Sequence, residues 1–193
     1  MAKVLLLYST TDGHTVEICK RLGKVIEGEG DTVELANVAD GPDLGNLEFD
    51  KVVIGASIRY GKHQKAVYDF VRDNQATLEA HPNALFSVNV VARKPEKNTP
   101  ETNPYVKKFL RKIPWKPRLV GVFAGRLDYE IYDAVDRNII RLIMWLTGGP
   151  TDLQTKVEYT DWDEVRQYAS KIIVTLVERR IHNLPHPLEE HKE

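Results

Sequence analysis

Short apolar runs rich in valine, isoleucine and leucine alternate with longer amphipathic segments along the chain. Five apolar runs predict strands, at residues 3–8, 32–35, 51–55, 84–91 and 119–124. Four amphipathic segments predict helices, at residues 15–27, 66–78, 103–112 and 161–179. A run that is apolar throughout, such as residues 52–54, is typical of a parallel strand that is covered on both faces. The pattern therefore predicts an α/β fold, an open parallel sheet of five strands with helices on both faces.

Two helix signals and one extra segment refine this picture. Thr160 with Asp163 three residues later forms a capping-box pattern, which predicts the start of the last helix. Residues 131–149 also predict a helix, closed by Gly148 and Gly149. Because residues 155–159 could then resume a strand, we interpret residues 126–150 as an insertion that splits or follows the last strand.

The length and composition predict one domain with a sizeable core. The chain has 193 residues, and we assign residues 1–180 to the domain and residues 181–193 to a polar, proline-broken, mobile tail. We interpret the tail's His182, His186 and His191 as solvated and predict no metal site. The single cysteine, Cys19, excludes an internal disulfide and a cysteine-rich metal site. No signal peptide and no spanning run are recognised, so we expect a cytoplasmic protein that at most lies on a membrane.

Charge is unevenly distributed although the net charge is only −1. Residues 93–118 carry nine lysines and arginines against two glutamates. This basic stretch contains no nucleic-acid recognition motif, so nucleic acid is a poor candidate partner. Two interpretations stay open: a solvated face, or a surface that receives an anionic ligand or lipid.

The loop after the first strand has the composition of a phosphate site. It reads YSTTDGHT, and its members are Ser9, Thr10, Thr11, Asp12, Gly13, His14 and Thr15. Free N–H groups and the positive dipole end of the following helix favour an anion there. The alternative is that Thr11 or Asp12 only caps the helix. No G-x-G-x-x-G and no Walker A pattern appears, so the common dinucleotide and nucleoside triphosphate fingerprints are absent.

Five stretches, taken in order, carry a family resemblance: YSTTDGHT, VVIGASIRYGKH, SVNVVARKPEKNTPETNPY, LIMWLTGGPTD and VEYTDWDEV. Together they resemble the flavodoxin-like, quinone-dependent protoporphyrinogen IX dehydrogenases, over nearly all of residues 3–177. The first loop departs from the flavodoxin pattern T-x-T-G-x-T, because the span from Ser9 to Thr15 is one residue longer.

The resemblance implies both a fold and a reaction. The sheet would have the flavodoxin order 2-1-3-4-5. The protein would bind FMN non-covalently, oxidise protoporphyrinogen IX to protoporphyrin IX, and pass electrons to a membrane quinone such as menaquinone or ubiquinone. It would work at the cytoplasmic face of the cell membrane. Homo-oligomerisation stays open.

The same resemblance implies the FMN-binding residues by position. They are the first-loop residues 9–15 named above together with Ser57, Ile58, Arg59, Tyr60, Gly61, Asn89, Val90, Val91, Ala92 and Arg93. Tyr60 would stack on the flavin ring, and Arg59 or Arg93 would lie near its N1–C2 edge, unless these are ordinary solvated loop side chains. His14 and His63 are candidate proton carriers, although solvent-exposed loop histidines are the favoured interpretation. No catalytic acid or base is assigned.

Two surfaces are candidates for substrate or membrane. One is basic and partly aromatic, formed by Lys107, Lys108, Arg111 and Lys112 with Tyr105, Phe109 and Trp115. The other is the apolar helix of the insertion with Arg137, Arg141 and Trp145. The alternative is that the apolar residues of this helix pack on the sheet as core. Three rival functions remain open at this point: an electron-carrying flavodoxin, an NAD(P)H:quinone reductase, and a membrane-surface module that has lost its flavin.

Overall fold

The computed structural model describes residues 1–182, with side chains described as far as Val174. Its strands are β1 (Lys3–Ser9), β2 (Thr32–Asn37), β3 (Lys51–Arg59), β4 (Lys62–His63), β5 (Asn83–Asn89), β6 (Leu119–Ala124), β7 (Arg126–Asp128) and β8 (Lys156–Glu158). The long strands pair in parallel in the order β2-β1-β3-β5-β6, with β4 antiparallel to the end of β3. Counting only the five long strands along the chain, this is the predicted order 2-1-3-4-5.

Six helices flank the sheets in the described part of the chain. They are α1 (His14–Gly28), α2 (Lys65–Asp73), α3 (Gln75–Ala80), α4 (Pro104–Leu110), α5 (Ala134–Leu146) and α6 (Trp162–His182). The helix predicted at residues 66–78 is two helices, because the chain bends at Asn74, whose amide nitrogen donates to the Phe70 carbonyl at 2.9 Å. The strand predicted to reach residue 91 ends at Asn89, where a 3-10 turn begins.

The start of α6 differs from the predicted capping box. The Asp161 carboxylate accepts the N–H groups of Asp163 and Glu164, so Asp161 is the cap. Thr160 instead donates its hydroxyl to the Ala124 carbonyl at 2.8 Å. The helix continues to His182 and includes the first two residues of the predicted tail. Residues 183–193, with His186 and His191, lie outside the described residues.

Two apolar layers cover the sheet, one on each face. On the first face, α1 and α6 pack on β1, β3 and β5. There the Phe86 ring fills the space beside Gly55, where an added Cβ would lie 2.1 Å from its Cζ atom. The second face buries Phe109 and Trp115 completely. The prediction that these two aromatic residues belong to a surface is therefore wrong.

After β6 the chain leaves the main sheet and forms an excursion, residues 126–158. Its ends, β7 and β8, pair antiparallel as a separate two-stranded sheet, so residues 155–159 do not resume a strand of the main sheet. Between them lies α5, which is closed after Leu146 by Gly148 with φ +66° and by the Gly149 N–H, which donates to the Met144 carbonyl at 2.7 Å. The predicted glycine cap is confirmed.

The helix α5 turns most of its apolar side chains to solvent. Val135, Trp145 and Leu146 are each 68% exposed and Leu142 is 55% exposed, whereas Met144 is buried against Leu127. The alternative that this helix packs wholly as core is therefore wrong. Among the described residues, no helix combines the length and the apolar character that crossing a bilayer requires.

Candidate functional site at the carboxyl edge of the sheet

A cleft opens where the carboxyl ends of β1, β3 and β5 face the excursion. It encloses about 880 Å³, counting the solvent at its open mouth. Ligands of open α/β sheets bind at this edge. Its lining is Thr10, Asp12, His14, Thr15, Ser57, Ile58, Arg59, Tyr60, Gly61, Val88, Asn89, Val90, Val91, Tyr105, Gly125, Arg126, Leu127, Ile131, Tyr132, Ile140, Ile143 and Met144.

The loop between β1 and α1 leaves the start of α1 without a side-chain cap. Gly13 precedes the helix with φ +80°, a conformation that favours glycine, and no side chain among the described residues accepts a capping hydrogen bond from the first turn. Asp12 binds the Arg59 guanidinium at 2.9 Å, and Thr11 accepts a hydrogen bond from Gln64. The alternative that Thr11 or Asp12 caps this helix is therefore wrong, and the N–H groups of its first turn remain open to an anion.

Gln64 holds the same loop from the neighbouring strand connection. Its Oε1 accepts the Ser9 hydroxyl at 2.9 Å, and its Nε2 donates to the Thr10 carbonyl and the Thr11 hydroxyl, both at 3.2 Å. The Ser9 and Thr11 hydroxyls are therefore engaged within the protein. Sequence reasoning missed Gln64, because nothing in its spacing distinguishes it from an ordinary polar residue before a helix.

Tyr60 and Gly61 form the tight turn between β3 and β4. They separate the paired residues Arg59 and Lys62, and both have positive φ, +49° and +76°. A two-residue hairpin turn of this kind needs positive φ at both central positions, which is uncommon for a tyrosine. The Tyr60 ring is 41% exposed, so the turn presents an aromatic side chain at the edge of the cleft.

Asn89 ends β5 and organises the turn that follows. Its Oδ1 accepts the Ala92 N–H at 3.0 Å and the Asn103 side-chain amide at 3.1 Å. Asn103 in turn caps α4 by accepting the N–H groups of Tyr105 and Val106. These bonds fix the Asn89 side chain and leave its buried Nδ2 without a partner among the described residues.

Besides His14 Nδ1, four buried polar atoms of cleft-lining residues lack a hydrogen-bond partner in the described part of the chain. They are Thr15 Oγ1, Ser57 Oγ, Asn89 Nδ2 and Arg126 Nε. Buried polar groups are nearly always paired, and an unpaired one costs about 1–3 kcal/mol. All four can donate a hydrogen bond. The set suits a ligand that carries several acceptor oxygens, with an anionic group at the start of α1.

Comparison with known proteins agrees with this geometry. The model of the flavodoxin domain family matches residues 5–154. A protein of Escherichia coli strain K12 named protoporphyrinogen IX dehydrogenase [quinone] is 45% identical over 172 residues, 88% of this chain and 94% of that protein. A protein of Leishmania major with the same name is 45% identical over 87% of this chain and 73% of its own length. The chain belongs to the flavodoxin-like protoporphyrinogen IX dehydrogenase family.

Solved flavodoxin structures share the fold of this family member. The crystal structure of oxidised flavodoxin 1 from Bacillus cereus superposes with a TM-score of 0.52 at 15% identity, over 90% of this chain and 98% of that one. At this identity the likeness concerns the fold alone. The predicted family and the predicted flavodoxin-like fold are both confirmed.

The structure brings most of the predicted FMN-binding residues of this family member to the cleft. Those that line it are Thr10, Asp12, His14, Thr15, Ser57, Ile58, Arg59, Tyr60, Gly61, Asn89, Val90 and Val91. Five others lie beside it: Ser9, Thr11, Gly13, Ala92 and Arg93.

Arg93 donates to the carbonyls of Val90 and Thr147, and Arg59 is paired with carboxylates. Neither arginine is a freely solvated loop side chain.

The excursion supplies cleft residues that sequence reasoning missed. The missed residues are Arg126, Leu127 and Tyr132, which line the cleft together with Ile140 and Met144 of the helix that the sequence indicated as a candidate substrate wall. The sequence indicated an apolar helix here. Which of its residues turn inward depends on how the excursion folds back, and helical spacing alone does not determine that.

Both candidate histidines are buried, so the favoured interpretation as exposed loop residues is wrong. His14 is 6% exposed, and its Nε2 lies 2.6 Å from the Thr160 hydroxyl. His63 is 4% exposed and packs on the Phe109 ring, with Nε2 3.1 Å from the Ser87 hydroxyl. Burial lowers the pKa of both imidazoles, that of His63 to about 4.

The buried His63 predicts a loss of stability in mild acid. The unfolded side chain takes up a proton near its ordinary pKa of about 6.5, whereas the folded one does so at about 4. The unfolded state therefore binds more protons in this window, and the free energy of unfolding falls by about 3 kcal/mol as the pH drops through it. Urea unfolding at pH 7 and pH 4.5 measures most of this change.

His63→Gln keeps a hydrogen-bonding group and removes the titration, so we expect a flatter pH profile for this variant. His81, whose ring is partly exposed and bonds the Thr77 carbonyl, provides the control. His81→Gln should leave the wild-type slope. If the free energy of unfolding falls equally with pH in the wild type and in His63→Gln, the prediction is contradicted.

The charged residues and Trp145 of the two predicted substrate or membrane surfaces lie outside the cleft, whereas Tyr105 lines it. Lys107, Lys108, Arg111 and Lys112 are exposed on and just after α4. On α5, Arg141 and Trp145 are exposed, whereas Arg137 is partly buried and donates to the carbonyls of Tyr129 and Tyr132. Arg137 thus stabilises the excursion itself.

Proposed function

We propose that this protein oxidises protoporphyrinogen IX to protoporphyrin IX with a non-covalently bound FMN and passes the electrons to a membrane quinone. The observation that carries the proposal is the 45% identity, over 88% of the chain, to a relative named for this reaction. The chemistry of the cleft supports it independently. The unpaired donors and the uncapped helix suit a flavin with a phosphate tail, and the excursion adds an apolar wall.

The residues present fit FMN. The hydroxyl of Thr15 and the first-turn N–H groups of α1 would bind the phosphate. Ser57, Asn89 and Arg126 would donate to ring oxygens and nitrogens, and Tyr60 would lie against the ring system. When bound, FMN supplies the two-electron redox chemistry that amino-acid side chains lack. The protein's part is to orient the two partners and to exclude water.

The excursion would receive the substrate. Ile131, Tyr132, Ile140 and Ile143 line the side of the cleft opposite the sheet with apolar and aromatic surface. Protoporphyrinogen IX is a large apolar macrocycle with two propionate arms, so burial against this wall would favour its binding. The same wall would keep bulk water from the reacting atoms.

The outer face of α5 would lie on the cytoplasmic membrane surface, where the quinone is found. Four large apolar side chains on this helix are at least half exposed, and Arg141 lies among them. An amphipathic helix with this composition binds at the interface of a bilayer. The basic residues of the α4 region would add attraction to anionic lipid, at about 1 kcal/mol for each residue near the surface.

An anaerobic mixing experiment tests the proposed reaction. FMN-loaded protein is mixed with protoporphyrinogen IX while flavin absorbance and porphyrin fluorescence are followed together. We expect bleaching of the flavin, appearance of porphyrin, and recovery of flavin absorbance when a quinone is added. A flavin that stays oxidised with this substrate and bleaches with NADPH would instead identify a quinone reductase. Bleaching by a redox protein alone would identify an electron carrier.

Trp145→Ser is expected to weaken vesicle binding about tenfold. The substitution removes a 68% exposed indole that would enter the interface, a change of roughly 1.5 kcal/mol. Co-sedimentation with vesicles that contain anionic phospholipid measures the affinity. Leu35, which is 40% exposed on the edge strand β2, provides a matched control, and Leu35→Ser should bind like the wild type. Equal binding by all three proteins would refute this membrane surface.

A further inference from the structure

Arg59 lines the cleft with both terminal nitrogens bound to carboxylates of the chain itself. Nη1 donates to Asp12 at 2.9 Å, and Nη2 donates to Asp136. The guanidinium carbon lies 4.8 Å from the centre of the Tyr132 ring and 5.5 Å from that of Tyr60. This arginine therefore joins the first loop of the sheet to the excursion, and its position would serve carboxylate recognition.

The two carboxylate partners differ in how readily they can leave. Asp12 lies in the first loop, where burial raises its pKa while the Arg59 charge acts in the opposite direction. Without Arg59, Asp12 would be a partly buried, unpaired charge beside the phosphate-binding end of α1. Asp12 is therefore the partner that Arg59 must keep.

Asp136 has an alternative source of stabilisation. It lies in the first turn of α5, where the Asp133 carboxylate accepts its N–H at 2.8 Å. A carboxylate in the first turn of a helix is stabilised by the helix dipole. The Asp136 and Asp12 side chains are similarly exposed, at 27% and 30%, so the helix end rather than access of water distinguishes the two partners. Asp136 can therefore release Arg59 at modest cost, which makes it the exchangeable partner.

We propose that Arg59 binds a propionate of the tetrapyrrole substrate and that Asp136 occupies this place until the substrate arrives. The inference rests on the proposed function, which supplies a flat apolar ligand with carboxylate arms. Exchange of one carboxylate for another keeps the guanidinium paired throughout, so no unpaired charge is left in the cleft. The aromatic rings beside Arg59 would contact the macrocycle next to that arm.

This assignment predicts a preference between two ligands that differ only in the propionates. Protoporphyrin IX carries free carboxylates, whereas its dimethyl ester offers only neutral ester oxygens. Charge-assisted and bidentate bonds to arginine are much stronger than bonds between neutral groups. The wild-type protein should therefore bind the free acid at least about tenfold more tightly than the ester, measured in the same detergent.

Binding to the FMN-loaded protein, followed by porphyrin fluorescence, tests the assignment. Arg59→Gln should reduce the preference for the acid over the ester to near unity. Arg21→Gln is the matched control. Arg21 also bonds a carboxylate, that of Glu17, and lies over the Trp162 ring, but it does not line the cleft. The control should keep the wild-type preference. An unchanged preference in Arg59→Gln, or an equal loss of affinity for both ligands, would overturn the proposal.

Asp136→Asn keeps the test decisive if Arg59→Gln does not fold or retain FMN. Removal of the competing carboxylate should raise the affinity for the free acid several-fold and leave that for the ester unchanged. No gain for the acid would overturn the assignment. Measurement of turnover distinguishes the failure of this assignment from the failure of the proposed reaction. A wild-type protein that prefers the acid but never oxidises protoporphyrinogen IX refutes the reaction and supports the carboxylate site.

Discussion

Thr15→Val is expected to weaken FMN binding by at least about tenfold while it stabilises the protein without FMN. The two effects have opposite signs because the Thr15 hydroxyl is buried and has no partner among the described residues. Valine has nearly the same shape and removes that unsatisfied group, which should add about 1 kcal/mol to the free energy of unfolding. A hydroxyl that bonds a phosphate would instead contribute roughly 1.5–3 kcal/mol to cofactor binding, and valine loses it.

Two measurements check this prediction, a titration of the FMN-free protein by flavin fluorescence and its urea unfolding. Thr11→Val is the control from the same loop. Thr11 is exposed, and its hydroxyl already accepts a hydrogen bond from Gln64. We expect only a small change in FMN affinity for this control. A Thr15→Val protein that binds FMN like the wild type would remove the phosphate site from the start of α1.

Replacement of residues 129–155 by Asn-Gly is expected to reduce turnover of protoporphyrinogen IX by at least about 100-fold while the main sheet still folds. The paired ends Asp128 and Lys156 face each other across β7 and β8, so a two-residue turn can close the shortened hairpin. The five parallel strands and both main core layers lie outside the deleted segment. The deletion removes the Tyr132, Ile140 and Met144 wall of the cleft.

Circular dichroism and FMN content report whether the shortened protein is folded, and steady-state kinetics with a quinone reports its turnover. Retained FMN with lost turnover assigns the excursion to substrate or quinone. Retained turnover would contradict that role. Loss of the cooperative unfolding transition would show that the excursion is needed for folding, because Arg59 and Arg93 lose Asp136 and Thr147 as partners.

The sequence predicted the parallel sheet well because its inner strands are apolar on both faces and follow local rules. It failed where a residue's role depends on distant partners. Thr160 looked like a helix cap, yet its hydroxyl bonds the Ala124 carbonyl in the neighbouring strand. Phe109 and Trp115 occur in a basic stretch, yet the helix and the turn after it direct both into the core.

In the candidate site, too, some features follow from local sequence and others depend on distant partners. Three loops after parallel strands meet at one edge, and topology alone predicts that. The ion pairs of Arg59 and the cross-links of Gln64 join residues that are between 47 and 77 positions apart. Such pairings depend on the path of the excursion and on side-chain rotamers, and no local spacing reveals them.

The contact between Gly55 and Phe86 constrains how this protein can change over evolutionary time. Any side chain at position 55 would collide with the Phe86 ring, whose nearest atom would lie 2.1 Å from the new Cβ. Shrinking Phe86 first would leave a cavity that costs about 3–5 kcal/mol, a large part of the stability of an ordinary domain. Neither substitution alone is therefore tolerated well, and positions 55 and 86 should change together during evolution. Glycine at position 55 should accompany a large aromatic residue at position 86, and a larger residue at position 55 should accompany a smaller one at position 86.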